Sequence, residues 1–338
     1  MKISWGLLST ARINDVLLPF FGTSKSSVLT GVASRNAEKA REYARARGIP
    51  KSFGTYEELL ADPSIDAVYI SLPNHLHAHY CEASLRAGKH VLCEKPLALT
   101  LDSIRPSVGL ANEKKLCFVE AFMYRHHEQS HAIRRLCQEG AIGELQTLST
   151  SFQITFHDPQ KATIRLDPKT GGGSLWDLGC YTTNALLQAA AFRRVTRVTA
   201  VARFENEVDV SIAGTLRFED GLLAHFDCGF QGHRSEHLRV LGSKGELFVE
   251  RPFKPGKRES LRLSTGPSET RFIEVVDPED FYTKEMLHLE RAILEKTEVF
   301  PPMRESLQTL LVLEKLNEAA RGSGSADITA GEWTSCET

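Results

Sequence analysis

The run Lys89-His90-Val91-Leu92-Cys93-Glu94-Lys95-Pro96 ends a short apolar stretch in an acid, a lysine and a proline. A strand that stops this way delivers an ammonium group to the carboxyl edge of a sheet, where open α/β folds hold their ligands. Proline prevents the strand from continuing and restricts Lys95 to extended geometry. An isolated Glu-Lys-Pro would be read as a surface turn. A second segment shifts the balance: Gly171-Gly172-Gly173-Ser174-Leu175-Trp176-Asp177-Leu178-Gly179-Cys180-Tyr181. Its glycines allow a tight turn into a helix beginning near Ser174. Asp177 and Tyr181, four residues apart, then fall on one face of that helix. Taken together, the two segments point to hydride-transfer chemistry on a nicotinamide cofactor.

The elements that would carry these groups alternate in the first third. Strands are expected at 2–8, 27–34, 66–71, 89–93 and 116–121, with helices at 11–21, 37–46, 75–87 and 101–114. Pro106 predicts a kink in the last of these, and Thr55-Tyr56-Glu57-Glu58 reads as a capping box. Strand–helix alternation at this spacing makes a parallel, doubly wound sheet. After residue 122 the rhythm changes. One helix, about 129–139, precedes alternating runs at 145–156, 196–204, 208–218, 222–231 and 236–250. Without helices between them, these read as a largely antiparallel open sheet, flanked by helices near 174–190, 283–296 and 304–320. The expected division is residues 1–122 for a nucleotide-binding domain and 123–338 for a substrate-binding and oligomerisation domain. Residues 321–338, rich in Gly, Ser and Thr, read as loose.

The turn after the first strand, Ser9-Thr10-Ala11-Arg12-Ile13-Asn14, has no glycine where a dinucleotide fingerprint would place three. By itself it reads as an ordinary strand-to-helix turn. Small residues can still fill the roles: Ser9 the tight turn, Ala11 the close approach to a pyrophosphate, and the helix N-terminus the amide donors. At the end of the second strand an NAD site would place an acid on the ribose hydroxyls. Ser34-Arg35 stands there instead. Arg35 can stack on adenine or grip a 2′-phosphate in a fork. A solvated helix start is the plainer alternative.

Composition limits the remaining classes. With 338 residues, 41% hydrophobic and 25% charged, the chain is an ordinary globular sequence long enough to split into two cores. A net charge of −2 offers no basic field for nucleic acid or an anionic membrane. The N-terminus lacks the apolar core of a signal peptide, and no stretch is long enough to span a bilayer. Seven cysteines without a C-x-x-C pair suit buried thiols in the cytoplasm.

Jointly, these segments resemble the glucose–fructose oxidoreductase/inositol dehydrogenase family (Gfo/Idh/MocA). The resemblance is carried by Trp5 through Ile13, Ser34-Arg35, Leu72-Pro73-Asn74-His75-Leu76-His77, Glu94-Lys95-Pro96, Glu120-Ala121-Phe122-Met123 and Gly171 through Tyr181. It is nearest to the NADP-using branch of sugar 3-ketoreductases and dihydrodiol dehydrogenases. It implies a Rossmann domain, an open-faced second sheet that often builds a homodimer or homotetramer interface, and a cis peptide before Pro96. It implies NADP(H) rather than NAD(H), held by Ser9, Thr10, Ala11, Arg12, Ile13, Ser34, Arg35, Leu72, Pro73, Asn74, His77, Glu94 and Lys95. It also implies Lys95 as the catalytic lysine, Asp177 as its partner and Tyr181 as the acid/base. Ser9 and Asn14 depart from the family pattern.

The chemistry then assembles. Oxidising a secondary alcohol removes the hydroxyl proton while hydride leaves the same carbon. A free tyrosine, with a pKa of about 10, is a poor base at neutral pH, and a nearby ammonium favours its phenolate. Asp177 would orient Lys95 or accept from a substrate hydroxyl. Trp176 offers either a flat face to sugar C–H bonds or a core side chain. Arg165 and His157, in the preceding loop, are candidate hydroxyl donors or solvated loop residues. The expected substrate is a small carbohydrate-like molecule, and the other class to weigh is a non-catalytic NADP-binding sensor or regulator. His127-Glu128-Gln129-Ser130-His131 matches H-E-x-x-H, but no third ligand follows at a protease-like spacing, so no metal is expected.

Overall fold

The computed structural model describes residues 2–156, 164–266 and 269–337, which leaves His157 outside the described residues. The chain forms two compact units, Met1–Met123 with Phe281–Met303 and Tyr124–Asp280 with Arg304–Thr338.

In the first unit, β1 (Ile3–Leu8), β2 (Ser27–Ala33), β3 (Lys51–Phe53), β4 (Ala67–Ile70), β5 (His90–Glu94) and β6 (Phe118–Ala121) make one sheet. Their order is β3-β2-β1-β4-β5-β6, and all pairs are parallel. The order reverses between β1 and β4, which opens a crevice at their carboxyl ends. Helices α1 (Leu18–Thr23), α2 (Ala37–Arg47), α3 (Tyr56–Ala61), α4 (His77–Arg86) and α5 (Leu101–Lys114) connect the strands. The expected first helix is broken into a 3-10 turn, Arg12–Val16, followed by α1 with Pro19 in its first turn. At α3, Thr55 accepts from the Glu58 amide, but the Glu58 carboxylate takes the Gly54 amide rather than completing a reciprocal box.

The core of this unit includes Trp5, Leu7, Tyr69, Leu92 and Val119 together with Met286 and Leu289. Those last two lie on α8 (Phe281–Glu295). The helix expected to flank the second sheet therefore covers the first. An amphipathic helix carries no mark of which sheet it will cover, so its placement is set by packing.

The second unit begins with α6 (Glu128–Gln138) and β7 (Leu145–Thr155), then reaches α7 (Cys180–Ala189). The remaining strands are β8 (Val195–Glu205), β9 (Val208–Phe218), β10 (Leu223–Gly229), β11 (Gln231–Gly242), β12 (Glu246–Val249), β13 (Arg258–Gly266), β14 (Glu269–Val276) and β15 (Ser325–Asp327), with α9 (Met303–Arg321) and α10 (Ala330–Thr334) near the end. The sheet runs β14-β13-β12-β11-β7-β10-β9-β8-β15 and is antiparallel except at β10–β7. The single run expected at 236–250 is two strands, because Ser243–Gly245 turn the chain between them. The tail expected to be loose is ordered over residues 325–337. β15 pairs with β8, a reciprocal capping box of Thr329 and Glu332 opens α10, and Trp333 and Cys336 are buried. Among the described residues no helix is long and apolar enough to cross a membrane.

Candidate active site

The turn after β1 keeps a glycine-like backbone without a glycine. Ser9 has φ 138°, a region that L side chains rarely adopt. Its hydroxyl is drawn into the turn: Oγ accepts from the Ala11 amide at 3.0 Å and lies 2.8 Å from Ser71 Oγ and 3.0 Å from the Ser71 carbonyl. The buried Asn14 closes the circuit, donating to the Ser9 carbonyl at 2.9 Å and accepting from Ser71 Oγ at 2.6 Å. Asn14 and Ser71 are thus functional supports of the turn that sequence reasoning did not assign. The tight-turn shape needed for close approach of a pyrophosphate is preserved, so the turn fits a dinucleotide.

Strain and hydrogen bonding at Ser9 oppose each other. The conformation costs about 1–3 kcal/mol in a non-glycine residue, while the hydroxyl network returns about 1–2 kcal/mol. Ser9→Ala should destabilise the chain by the second amount, and Ser9→Gly should be close to neutral. Urea unfolding of the two variants checks this, and equal losses in both would show that φ carries no strain.

At the end of β2, Ser34 is buried and its Oγ accepts from the Asn36 amide at 3.3 Å, while Arg35 is exposed. Arg35 stands beside the Tyr56 phenol. Burial raises that phenol's pKa above the ordinary value, and the Arg35 charge and hydrogen bond oppose the rise. Thr10, Ala11, Ile13, Pro73 and Asn74 are half-buried, Leu72 is buried and Arg12 is exposed.

Lys95 follows β5, half-buried, and its peptide bond to Pro96 is cis. Neighbouring strands and helices fix the turn. The Leu97 amide donates to Glu120 Oε1 at 2.8 Å, and His77 Nδ1 lies 2.7 Å from the Pro96 carbonyl. The Glu94 carboxylate accepts from the buried Tyr69 phenol. Burial first, and then the Glu94 charge, push that phenol's pKa up. Glu94 is thereby anchored in the protein.

In the second unit the glycine segment wraps around one residue. The Gly173 amide donates to the Arg165 carbonyl at 2.9 Å, and a Cβ at Gly172 would lie 2.5 Å from that same oxygen. Arg165 Nε in turn donates to Asp177 Oδ2 at 2.7 Å. Leu175–Gly179 is a π-helical turn that runs into α7, an irregularity frequent at functional sites. The structure thus puts Arg165 and Asp177 together in a way that sequence spacing did not indicate. Tyr181 is buried, with its ring centroid 6.0 Å from Tyr124, 5.8 Å from Phe152 and 5.7 Å from Phe253. Trp176 is 6% exposed.

Asp209 is a further support that sequence reasoning missed. It is 3% exposed, and its Oδ2 accepts from Ser174 Oγ and the Leu175 amide, both at 2.7 Å. A strand thereby supplies the cap that the start of this helix lacks locally. Desolvation raises the Asp209 pKa, against the pull of these donors. The available signal was an acid set between valines in a strand, Val208-Asp209-Val210.

The H-E-x-x-H segment serves as a helix cap. His127 Nδ1 accepts from the Gln129 amide at 3.0 Å, and Nε2 lies 3.2 Å from the Gly256 carbonyl. Among the described residues no three His, Cys, Asp or Glu side chains cluster as metal ligands would.

Comparison with known proteins decides the lineage. Residues 5–122 match the Gfo/Idh/MocA model described as an oxidoreductase family with an NAD-binding Rossmann fold, and residues 130–248 match the family's C-terminal domain. A D-xylose 1-dehydrogenase (NADP(+)) of Haloferax volcanii is 31% identical over 96% of this chain and 99% of its own. The chain belongs to the Gfo/Idh/MocA oxidoreductase family. A dTDP-3,4-didehydro-2,6-dideoxy-alpha-D-glucose 3-reductase of Streptomyces violaceoruber is 38% identical over 73% of this Gfo/Idh/MocA chain and 72% of its own. Among solved structures, a 3-ketoreductase from Actinomadura kijaniata in complex with NADP and TDP-benzene superposes with a TM-score of 0.87 at 27% identity, covering 94% of this chain and 98% of that one. The fold class and lineage expected from the sequence both hold.

Proposed function

We propose that this enzyme transfers hydride between NADP(H) and a secondary alcohol or ketone of a sugar, polyol or dihydrodiol. The observation that carries the reading is the near full-length likeness to an NADP(+)-dependent sugar dehydrogenase in a chain that retains Lys95, Asp177 and Tyr181. A bound nicotinamide would supply the hydride acceptor or donor. Tyr181 takes the hydroxyl proton in oxidation and returns it in reduction. Lys95 stabilises negative charge as it develops on the substrate oxygen, and the Arg165 hydrogen bond orients Asp177. Trp176 flanks this segment. Ser9, Thr10, Ala11, Arg12 and Ile13 hold the pyrophosphate, and Ser34 and Arg35 hold the 2′-phosphate. Leu72, Pro73, Asn74, His77 and Glu94 shape the nicotinamide end.

A screen of aldoses, inositols, anhydrosugars, ketosugars and aromatic dihydrodiols, following reduced-nicotinamide absorbance with both cofactors, tests the reading. NADP binding without turnover on any of them would favour a sensor over an enzyme. Seven cysteines, none in a disulfide, favour a reducing, cytoplasmic setting.

We also propose a homodimer or homotetramer built on the outer face of the second sheet. Val201 is 72% exposed, Leu223 52% and Phe272 69%, each on a strand of that sheet. Light scattering at micromolar concentration should return at least twice 37.6 kDa. A mass near that of one chain would count decisively against it.

A further inference from the structure

His77 is fully buried at the start of α4, and both of its ring nitrogens face backbone carbonyls. Nδ1 lies 2.7 Å from the Pro96 oxygen, on the turn that carries Lys95, and Nε2 lies 2.8 Å from the Leu72 oxygen, on the turn after β4. A carbonyl oxygen only accepts, so each contact requires an N–H. A neutral imidazole has one N–H and an imidazolium has two. In either neutral tautomer a nitrogen lone pair would confront an oxygen at hydrogen-bond distance. We propose that His77 is a positioning residue that ties the Lys95–Pro96 turn to the Leu72–Pro73–Asn74 turn, and that it completes the tie only when doubly protonated.

The proposal rests on the reading of these two turns as part of the cofactor site. The ring's environment is divided over the second proton. The Pro96 and Leu72 carbonyls favour the cation. Burial, the largest influence, opposes it, as do Lys95 on the β5 turn and His75 on the turn leading into α4. The balance lowers the pKa below the ordinary imidazole value, so the completed tie belongs to the acid side of neutrality. As pH rises through that pKa, one proton leaves and one of the two turns is released. The cofactor site is then less well ordered before binding, and affinity falls.

The test has two arms. The first is 15N NMR of the unaltered, histidine-labelled protein from pH 5 to 8, without cofactor. One ring, shielded from exchange, should show two N–H protons at acid pH and lose one as the pH rises. That signal should be missing from His77→Gln, whose amide has one nitrogen and would turn an acceptor oxygen to the second carbonyl. A ring that stays neutral with one N–H throughout would overturn the proposal, whatever the protein binds.

The second arm compares NADP dissociation constants across the same range. The unaltered protein should bind about tenfold more tightly than His77→Gln at the acid end, the scale of one charge-assisted hydrogen bond. The two should converge above the transition, with kcat differing much less. The cofactor's own 2′-phosphate titrates in both proteins and cancels in the ratio. A ratio constant with pH would make His77 a plain structural residue. Failure of the unaltered protein to bind NADP at any pH would instead refute the cofactor reading, and the NMR arm would still decide the protonation. Should His77→Gln not fold, the NMR arm on the unaltered protein decides alone.

Discussion

Lys95→Met should lower turnover by roughly two to three decades, because it keeps the aliphatic stem and removes the charge proposed to meet the developing oxyanion. Tyr181→Phe should cost about 10²–10⁴-fold, since it deletes the proposed proton acceptor and leaves the ring in its aromatic nest. The packing around Tyr181 makes this an unusually clean substitution: Tyr124, Phe152 and Phe253 contact a ring that Phe reproduces. The double variant should lose far less than the product of the two single losses, because the lysine works partly by favouring the phenolate. Oxidation by the parent enzyme should rise with one deprotonation on the alkaline side, and Tyr181→Phe should abolish that limb. NADP affinity should survive the loss of the phenol. Near-normal turnover in either single variant, on a substrate found in the screen, would refute the assignment and favour the sensor.

The parts of this molecule that the sequence disclosed are those written in local periodicity. Strand–helix alternation through Ala121 specified the parallel sheet, and the alternating runs at 145–156 and from residue 196 specified the second. What escaped was decided by distant partners. The helix over Phe281–Glu295 reads the same whether Met286 and Leu289 meet one sheet or the other. The tail hid behind its Gly and Ser content, although Thr329, Glu332 and Trp333 spelled a capped, buried helix. The hairpin of β13 and β14 offers only Leu261 and Leu263 as fully buried apolar positions before its turn, too short a pattern to stand out. The family resemblance supplied Lys95, Asp177 and Tyr181 as candidate reactive groups. The supporting contacts required coordinates: Arg165 on Asp177, Asp209 on the helix start, Glu120 on the Leu97 amide, His77 between two carbonyls. They join residues 5 to 35 positions apart with no repeating spacing. Ser9 is the sharpest case, since nothing in a serine announces φ 138°.

Arg35→Ala should weaken NADP binding by roughly one to two decades, the scale of a lost charge-assisted contact of about 1.5–3 kcal/mol. NAD binding should change little, because NAD lacks the 2′-phosphate. Ser34-Arg35 stands at the end of β2, where an acid would take the ribose hydroxyls of NAD. Arg35 is solvent-exposed yet interacts with the phenol of Tyr56, a residue only 5% exposed at the start of α3. A long side chain steadied in this way loses less freedom when it binds phosphate. Tyr56→Phe should therefore weaken NADP as well, by a smaller factor than Arg35→Ala, while leaving the charge in place. Raising the salt concentration should erode the preference for NADP in the parent enzyme and have little effect in Arg35→Ala, since an exposed ion contact is screened. Dissociation constants from fluorescence titration with both cofactors settle the matter. If the unaltered protein binds NAD as tightly as NADP, or if Arg35→Ala weakens both alike, Arg35 does not read the 2′-phosphate.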